Sequence, residues 1–210
     1  WSTAGFRRDE IDDTFANRAA QFIEKNASKP FFVYLPLTAP HSPLQPPKRL
    51  DGKSGDGRRG DMCLWVDHSV GRILDTLDRL NLAGSTLLVF TSDNGPVFNE
   101  ERDIKTLTVS TGHRPSGPYR GYKTNIWEGG THVPFVARWP GRIPAASKSD
   151  RLLCLTDMLA TFASLHGITL PEHAGEDSFN QLPALLGQSQ VEARDSLITH
   201  SYAGVHSIRQ

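Results

Sequence analysis

Thr86-Leu-Leu-Val-Phe90-Thr-Ser-Asp-Asn-Gly-Pro96 is the stretch whose reading decides the fold. A short, continuous apolar run bounded by turn residues suits a strand covered on both faces. It ends in an acid, an amide, a glycine and a proline, which cannot continue a strand. Upstream, Met62, Val66, Val70, Ile73, Leu74, Leu77 and Leu80 repeat at helical spacing, which predicts a long helix over 61–81, closed by Asn81-Leu-Ala-Gly84. Further upstream, Phe31-Phe-Val-Tyr-Leu35 predicts another strand covered on both faces, and Ile11, Phe15, Ala19, Phe22 and Ile23 predict an amphipathic helix over 9–26. Lys29-Pro30 ends that helix. Downstream, Val133–Trp139 and Leu197–His200 read as strands, and Leu152–Leu165 as a helix with Leu155, Met158, Leu159 and Phe162 inward. The polar stretch 97–125 has no period, as in functional loops. Strands alternating with helices predict an α/β fold, a mixed, mainly parallel sheet flanked by helices. Ligands of such sheets bind beyond the carboxyl ends of strands.

The 210 residues carry 23 Lys+Arg against 23 Asp+Glu. That balance argues against a nucleic-acid-binding arm and against an acidic tail. No apolar run approaches the roughly 18 residues of a membrane span. Cys63 and Cys154 have no zinc-site spacing and are expected to be small buried hydrophobes rather than a disulfide. The chain opens on Trp1 and has methionine only at 62 and 158, so it is expected to be an internal piece of a longer protein.

Chemistry-bearing residues cluster where ligands are expected. Asp93 and Asn94 offer hard oxygen ligands that suit Ca²⁺ or Mg²⁺ better than zinc. The same pair also reads as an Asn-Gly turn with an Asp cap. His41 follows a predicted strand between Pro40 and Pro43, whose rings fix the backbone around it; a surface histidine is the plainer reading. Lys123 precedes Trp127-Glu-Gly-Gly130, where it could meet an anion as a point charge or simply be solvated. Together, a histidine, a hard-metal pair and a lysine make a plausible anion-and-metal site. Ester hydrolysis at sulfur or phosphorus needs that combination.

Four stretches resemble the sulfatase family of the alkaline-phosphatase-like superfamily. They are Pro30-Phe-Phe-Val-Tyr-Leu-Pro-Leu-Thr-Ala-Pro-His-Ser-Pro43, Val66-Asp-His-Ser-Val-Gly-Arg-Ile-Leu74, Leu88-Val-Phe-Thr-Ser-Asp-Asn-Gly-Pro96, and Gly117-Pro-Tyr-Arg-Gly-Tyr-Lys-Thr-Asn-Ile-Trp-Glu-Gly-Gly-Thr-His-Val-Pro-Phe135. The resemblance implies a partial sulfatase fold. Residues 1–190 would be the middle and carboxyl-side part of the catalytic domain, and 191–210 the start of a C-terminal strand region. It implies that His41 and Lys123 contact the sulfate as catalytic residues, and that Asp93 and Asn94 are ligands of a Ca²⁺ (or Mg²⁺) ion. His113, in Gly112-His-Arg-Pro-Ser116, resembles a stretch seen in many bacterial members, and it is expected to line the substrate pocket. Thr156-Asp157 resembles the start of a structural helix. His132 stands where many relatives have arginine, and no role is carried onto it.

The family's nucleophile, a formylglycine made from Cys or Ser in a Cys/Ser-x-Pro/Ala-x-Arg signature, is expected upstream of this chain. Cys63-Leu-Trp-Val-Asp67 and Cys154-Leu-Thr-Asp-Met158 do not fit that signature. Ser116-Gly-Pro-Tyr-Arg120 fits it to the letter, but its place just before Lys123 matches another family element. The resemblance therefore implies a sulfuric ester hydrolase whose isolated segment is inactive. Its substrate would be a sulfated small molecule or sulfated glycan, and a formylglycine-generating enzyme would act on the parent chain. Family habit places such a protein in the periplasm or outside the cell. A phosphodiesterase or phosphonate hydrolase of the same superfamily, and a non-catalytic protein that binds sulfated glycans, stay open as alternatives.

Overall fold

The computed structural model describes residues 5–97, 113–188 and 194–210. The chain divides into two compact units, Trp1–Thr86 with Phe98–Pro115, and Leu87–Val97 with Ser116–Gln210.

In the first unit, helix α1 (Ile11–Lys25) packs against helix α2 (Gly57–Arg79). The buried stripe of α1 is Asp12, Ala16, Ala19, Ala20 and Ile23. Its alanines let a neighbouring helix approach closely. Phe22, expected inward, is 46% exposed. The buried face is thus rotated toward the small residues. Ala39, Leu44 and Leu50 of the proline-rich loop pack on Met62 and Trp65 of α2 to form the unit's core. The Trp65 indole N–H donates to Asp13 Oδ1 at 2.9 Å, and Arg49 pairs with both Asp13 oxygens at 2.7 and 2.8 Å. Asp61 accepts the N–H groups of Gly52 and Ser54 at 2.8 and 2.9 Å. Burial pushes its carboxyl up, yet those donors hold it below the ordinary carboxylate range.

The expected strand over 31–35 joins no ladder among the described residues. Its exposure alternates, with Phe32 at 72% and Tyr34 at 80%. A strand covered on both faces needs neighbours on both faces. Here the run lies along an open groove beside Phe15 and Phe22 of α1, with Phe32 and Tyr34 largely exposed on it.

In the second unit, β1 (Leu88–Thr91) pairs antiparallel with β2 (Phe135–Arg138), Leu88 opposite Arg138 and Thr91 opposite Phe135. The one-turn helix α3 (Glu128–Thr131) precedes β2. Helix α4 (Met158–Leu165) follows a 3₁₀ turn at Leu155–Asp157, so the helix expected from 152 begins six residues later. Leu155 and Leu159, expected inward, are 38% and 50% exposed. The reason is Asp157, which anchors this element. Its buried carboxylate accepts from the Cys154 and Phe179 N–H groups, the Gln181 amide and the Arg194 guanidinium. Satisfying those donors turns Asp157 and Thr161 inward and swings the two leucines out. A short helix α5 (Leu182–Leu185) leads on to a hairpin of β3 (Leu197–His200) and β4 (His206–Arg209).

Helices and strands mix as the sequence predicts. Both ladders among the described residues are antiparallel, so the parallel pairing expected from the alternation of strands and helices does not appear among them. Cys63 is exposed and Cys154 half-buried, both free thiols. The expectation of buried thiols therefore fails at Cys63, on the solvent side of α2. No helix among the described residues is long and apolar enough to cross a membrane.

Candidate functional site

The antiparallel register of β1 and β2 does the first work. Thr91 closes β1 opposite Phe135, which opens β2. The segment after Thr91 and the segment before Phe135 therefore leave the ladder at the same end. Asp93 and Asn94 lie on the first, Lys123 and the Glu-Gly-Gly turn on the second.

Backbone bonds then join the two segments. The Gly95 N–H donates to Gly130 O at 2.9 Å, and the Lys123 N–H donates to Pro96 O at 2.8 Å. Gly129 N–H reaches Arg120 O at 2.8 Å. The glycines are required by contact. A Cβ on Gly129 would lie 2.1 Å from Gly121 O, and one on Gly130 2.5 Å from Asn125 O. Only residues without a side chain let these backbones approach so closely.

Asp93 is exposed and Asn94 half-buried. Ser92 Oγ reaches Asp93 Oδ1 at 3.5 Å and Asn94 O at 3.2 Å. The Asn94 amide N–H donates to Gly95 O at 3.0 Å, which leaves Oδ1 as its unengaged acceptor among the described residues. Asp93 and Asn94 thus fit a hard cation as part of its shell. Ca²⁺ takes about six to eight oxygens, so other ligands must complete it. Among the described residues no group of three or more His, Cys, Asp and Glu side chains could do so.

The loop around Lys123 is braced at several points. Its ends meet where Tyr119 stacks on His132 at 4.5 Å between ring centroids. His132 Nδ1 lies 2.9 Å from Glu128 Oε2, and Glu128 Oε1 pairs with Arg209 of β4 at 2.5 Å. Arg120 covers the Trp127 ring at 3.9 Å. From the β3–β4 hairpin, the Tyr202 N–H donates to Thr124 O at 3.1 Å and Ser207 Oγ approaches Ile126 O at 3.5 Å. Ser116 Oγ donates to Gly121 O at 2.8 Å, so the signature-like Ser116–Arg120 stretch is occupied in building this loop.

His41 belongs to the first unit, between cis Ala39–Pro40 and Ser42–Pro43 bonds. Its N–H donates to Thr38 O at 3.0 Å, and its Nδ1 lies 2.7 Å from Ser42 O. A carbonyl only accepts, so this contact is a hydrogen bond when Nδ1 carries the proton. Asp12 sets this loop. Its fully buried carboxylate accepts from Thr38 N–H at 2.8 Å, Thr38 Oγ1 at 3.0 Å and Ala39 N–H at 2.8 Å. Arg59 donates to Pro40 O at 2.7 Å from the other side. His113 is exposed in the same unit; most of the loop expected over 97–125, residues 98–112, lies outside the described residues.

The second unit therefore brings together Asp93, Asn94 and Lys123, and the first holds His41 and His113. Sequence reasoning missed Asp12, Arg59 and the brace on Lys123. Asp12 left a signal: it lies in register with Ala16, Ala19 and Ile23 on the apolar stripe, where a carboxylate needs a buried partner.

Comparisons with known proteins bear on the family and the fold. The family model described as Sulfatase matches residues 5–168. An N-acetylgalactosamine-6-O-sulfatase of Bacteroides thetaiotaomicron is 40% identical over 192 residues, 90% of this chain and 37% of that protein. Human steryl-sulfatase is 36% identical over 201 residues, 96% of this chain and 34% of its own length. A structure solved in work on glycosaminoglycan metabolism by Bacteroides thetaiotaomicron superimposes with a TM-score of 0.91 at 36% identity, covering 98% of this chain and 42% of that one. The PsFucS1 sulfatase of Pseudoalteromonas sp. gives 0.83 at 28% identity, over 96% and 39%. The chain thus spans little more than a third of the length of these curated relatives.

Proposed function

Since the chain belongs to the sulfatase family, we propose that it forms part of a longer sulfuric ester hydrolase that cleaves a sulfate ester to an alcohol and inorganic sulfate. One observation carries the reading most. The backbone Gly95–Gly130 and Lys123–Pro96 bonds tie together, at one end of the β1–β2 ladder, the segments that carry Asp93, Asn94 and Lys123. That is the charge arrangement an anionic ester calls for.

Each residue has a part in this proposal. Lys123 binds the sulfate as a point charge and stabilises the negative charge that grows on the leaving oxygen. Asp93 and Asn94 hold part of the shell of a Ca²⁺ or Mg²⁺ ion. Such an ion supplies Lewis-acid charge neutralisation when bound. His41 is assigned to the sulfate on the resemblance of its loop, with its Nδ1 against the Ser42 carbonyl. His113 is assigned to the pocket lining on the same ground. The formylglycine nucleophile, and hence the action of a formylglycine-generating enzyme, belong to chain outside these residues. Residues 1–190 are the middle and carboxyl-side part of the catalytic domain, 191–210 open its C-terminal strand region, and the protein works in the periplasm or outside the cell. The substrate class is a sulfated small molecule or glycan. A structural neighbour at 28% identity, Ps i-CgsB, was solved in complex with k-i-k-neocarrahexaose.

The test is sulfate release by the full-length protein. Hydrolysis of sulfate esters that is abolished by chelation supports the proposal. Turnover of phosphate diesters with no sulfate release would replace it with the phosphodiesterase reading.

A further inference from the structure

Tyr202 sits at the tip of the β3–β4 hairpin and is 92% exposed. Its backbone is nevertheless fixed. Its N–H donates to Thr124 O, one residue beyond Lys123, at 3.1 Å. The rest of the hairpin is tied to the same loop, by Ser207 to Ile126 and by Arg209 to Glu128. Ser201 closes the tip on itself, with its N–H to Val205 O at 2.8 Å and its Oγ accepting from the Val205 N–H at 3.1 Å.

Other exposed aromatic residues around the lysine loop have a ring face engaged. Tyr119 stacks on His132, and Trp127 is capped by Arg120. Among the described residues Tyr202 has no such partner; its one bond is through its backbone. A tyrosine held this way presents a broad amphipathic face at small entropic cost, with only two side-chain torsions to fix.

We propose that Tyr202 is a specificity-determining residue, a platform on which the sugar ring of a sulfated monosaccharide or glycan rests while Lys123 engages its sulfate. The inference deepens the sulfatase reading and rests on it for the role of Lys123. The apolar face of a pyranose would lie on the phenol ring, and the ring hydroxyl would reach sugar oxygens at its edge. Inorganic sulfate, which has no ring to stack, would not register Tyr202.

The experiment uses the full-length protein and two probes, N-acetylgalactosamine 6-sulfate and inorganic sulfate, with binding measured by calorimetry. Tyr202→Ala is expected to weaken the sulfated sugar roughly ten-fold, the scale of one lost aromatic contact. Sulfate affinity should stay unchanged, and Tyr202→Phe should keep most of the sugar affinity. Equal weakening of both probes would overturn the proposal, because the hairpin would then act only by positioning Lys123. No change in either would overturn it as well. Binding is read separately from turnover: a wild-type protein that shows the Tyr202-dependent sugar affinity but hydrolyses no sulfate ester refutes the catalytic reading and supports the platform. A wild-type protein that binds neither probe overturns the platform.

Discussion

Gly95 lies so close to Gly129 that a Cβ on Gly95 would stand 1.9 Å from the Gly129 carbonyl oxygen. The neighbour is backbone, which cannot rotate away as a side chain does. This contact joins the loop of the proposed metal ligands to the loop of the proposed sulfate-binding lysine. Gly95→Ala should therefore force the two apart. A loss of about 1–3 kcal/mol is expected from overpacking alone, together with loss of the Gly95–Gly130 hydrogen bond. Chemical denaturation of the full-length protein would give the stability change. Metal titration would show weakened cation binding, because Asn94 is covalently next to the displaced residue. Gly141→Ala is the control: its Cβ meets nothing within 4 Å, although its φ of +80° adds a local backbone cost.

Asp12 makes a second prediction. Its carboxylate takes three hydrogen bonds from Thr38 and Ala39, just ahead of His41. Asp12→Ala leaves buried N–H groups unpaired, at about 1–3 kcal/mol. Asp12→Asn keeps the shape but turns one acceptor into a donor facing donors, so it should rescue little. On the proposed role of His41, both variants should lower kcat/KM for a sulfate ester more than they lower melting temperature at a distance from the unfolding transition. Steady-state kinetics at 25 °C, beside a thermal melt, separates the two effects.

These two cases mark what sequence could and could not disclose. Periodicity located α1, α2 and the strand over Leu197–His200, because each has a face that must be buried. It misplaced Phe22, Leu155 and Leu159, because alanines and a buried aspartate decide those faces. Hydropathy gives a carboxylate no inward weight, yet Asp12 and Asp157 organise their units through hydrogen bonds. The apolar run at 31–35 reads as a doubly covered strand, but Phe32 and Tyr34 stand exposed. Coverage depends on neighbours, and a run cannot name its neighbours. Asp93, Asn94 and Lys123 were legible as residue types in glycine-rich loops. Their convergence was not, since it depends on the antiparallel register of β1 with β2 and on glycines that meet across about thirty residues of intervening chain.

Lys123 gives the third prediction, conditional on the sulfatase reading. Lys123→Ala removes a cation from the transition state and should cost about 10²- to 10³-fold in kcat, on the scale of one lost oxyanion donor. Lys123→Arg keeps the charge. Its planar fork has different reach and geometry, so only partial recovery is expected. The backbone N–H of residue 123 still donates to Pro96 O in either variant. A circular-dichroism melt of each variant separates any loss of stability from the loss of rate.

The last prediction concerns acid. Asp157 is fully buried, and Arg194 is 8% exposed beside it. Burial pushes the Asp157 carboxyl up, but the Arg194 guanidinium and the N–H groups of Cys154, Phe179 and Gln181 outweigh it. The carboxyl is held below its ordinary range. A carboxyl lowered by folding contributes stability that is complete above its unfolded pKa of about 3.9 and is lost as pH falls through the lower folded value. The second unit should thus keep this contribution at neutral pH and give it up only in strong acid. Asp157→Ala leaves the Arg194 charge buried without its partner, at about 3–5 kcal/mol. The difference between wild type and Asp157→Ala should be large at pH 7, shrink steadily below about pH 4 as the unfolded chain takes up the proton, and be lost once pH falls past the lower value of the folded carboxyl. Denaturant melts across that range measure it. A difference that stays constant with pH would mean that Asp157 acts through shape and not through charge.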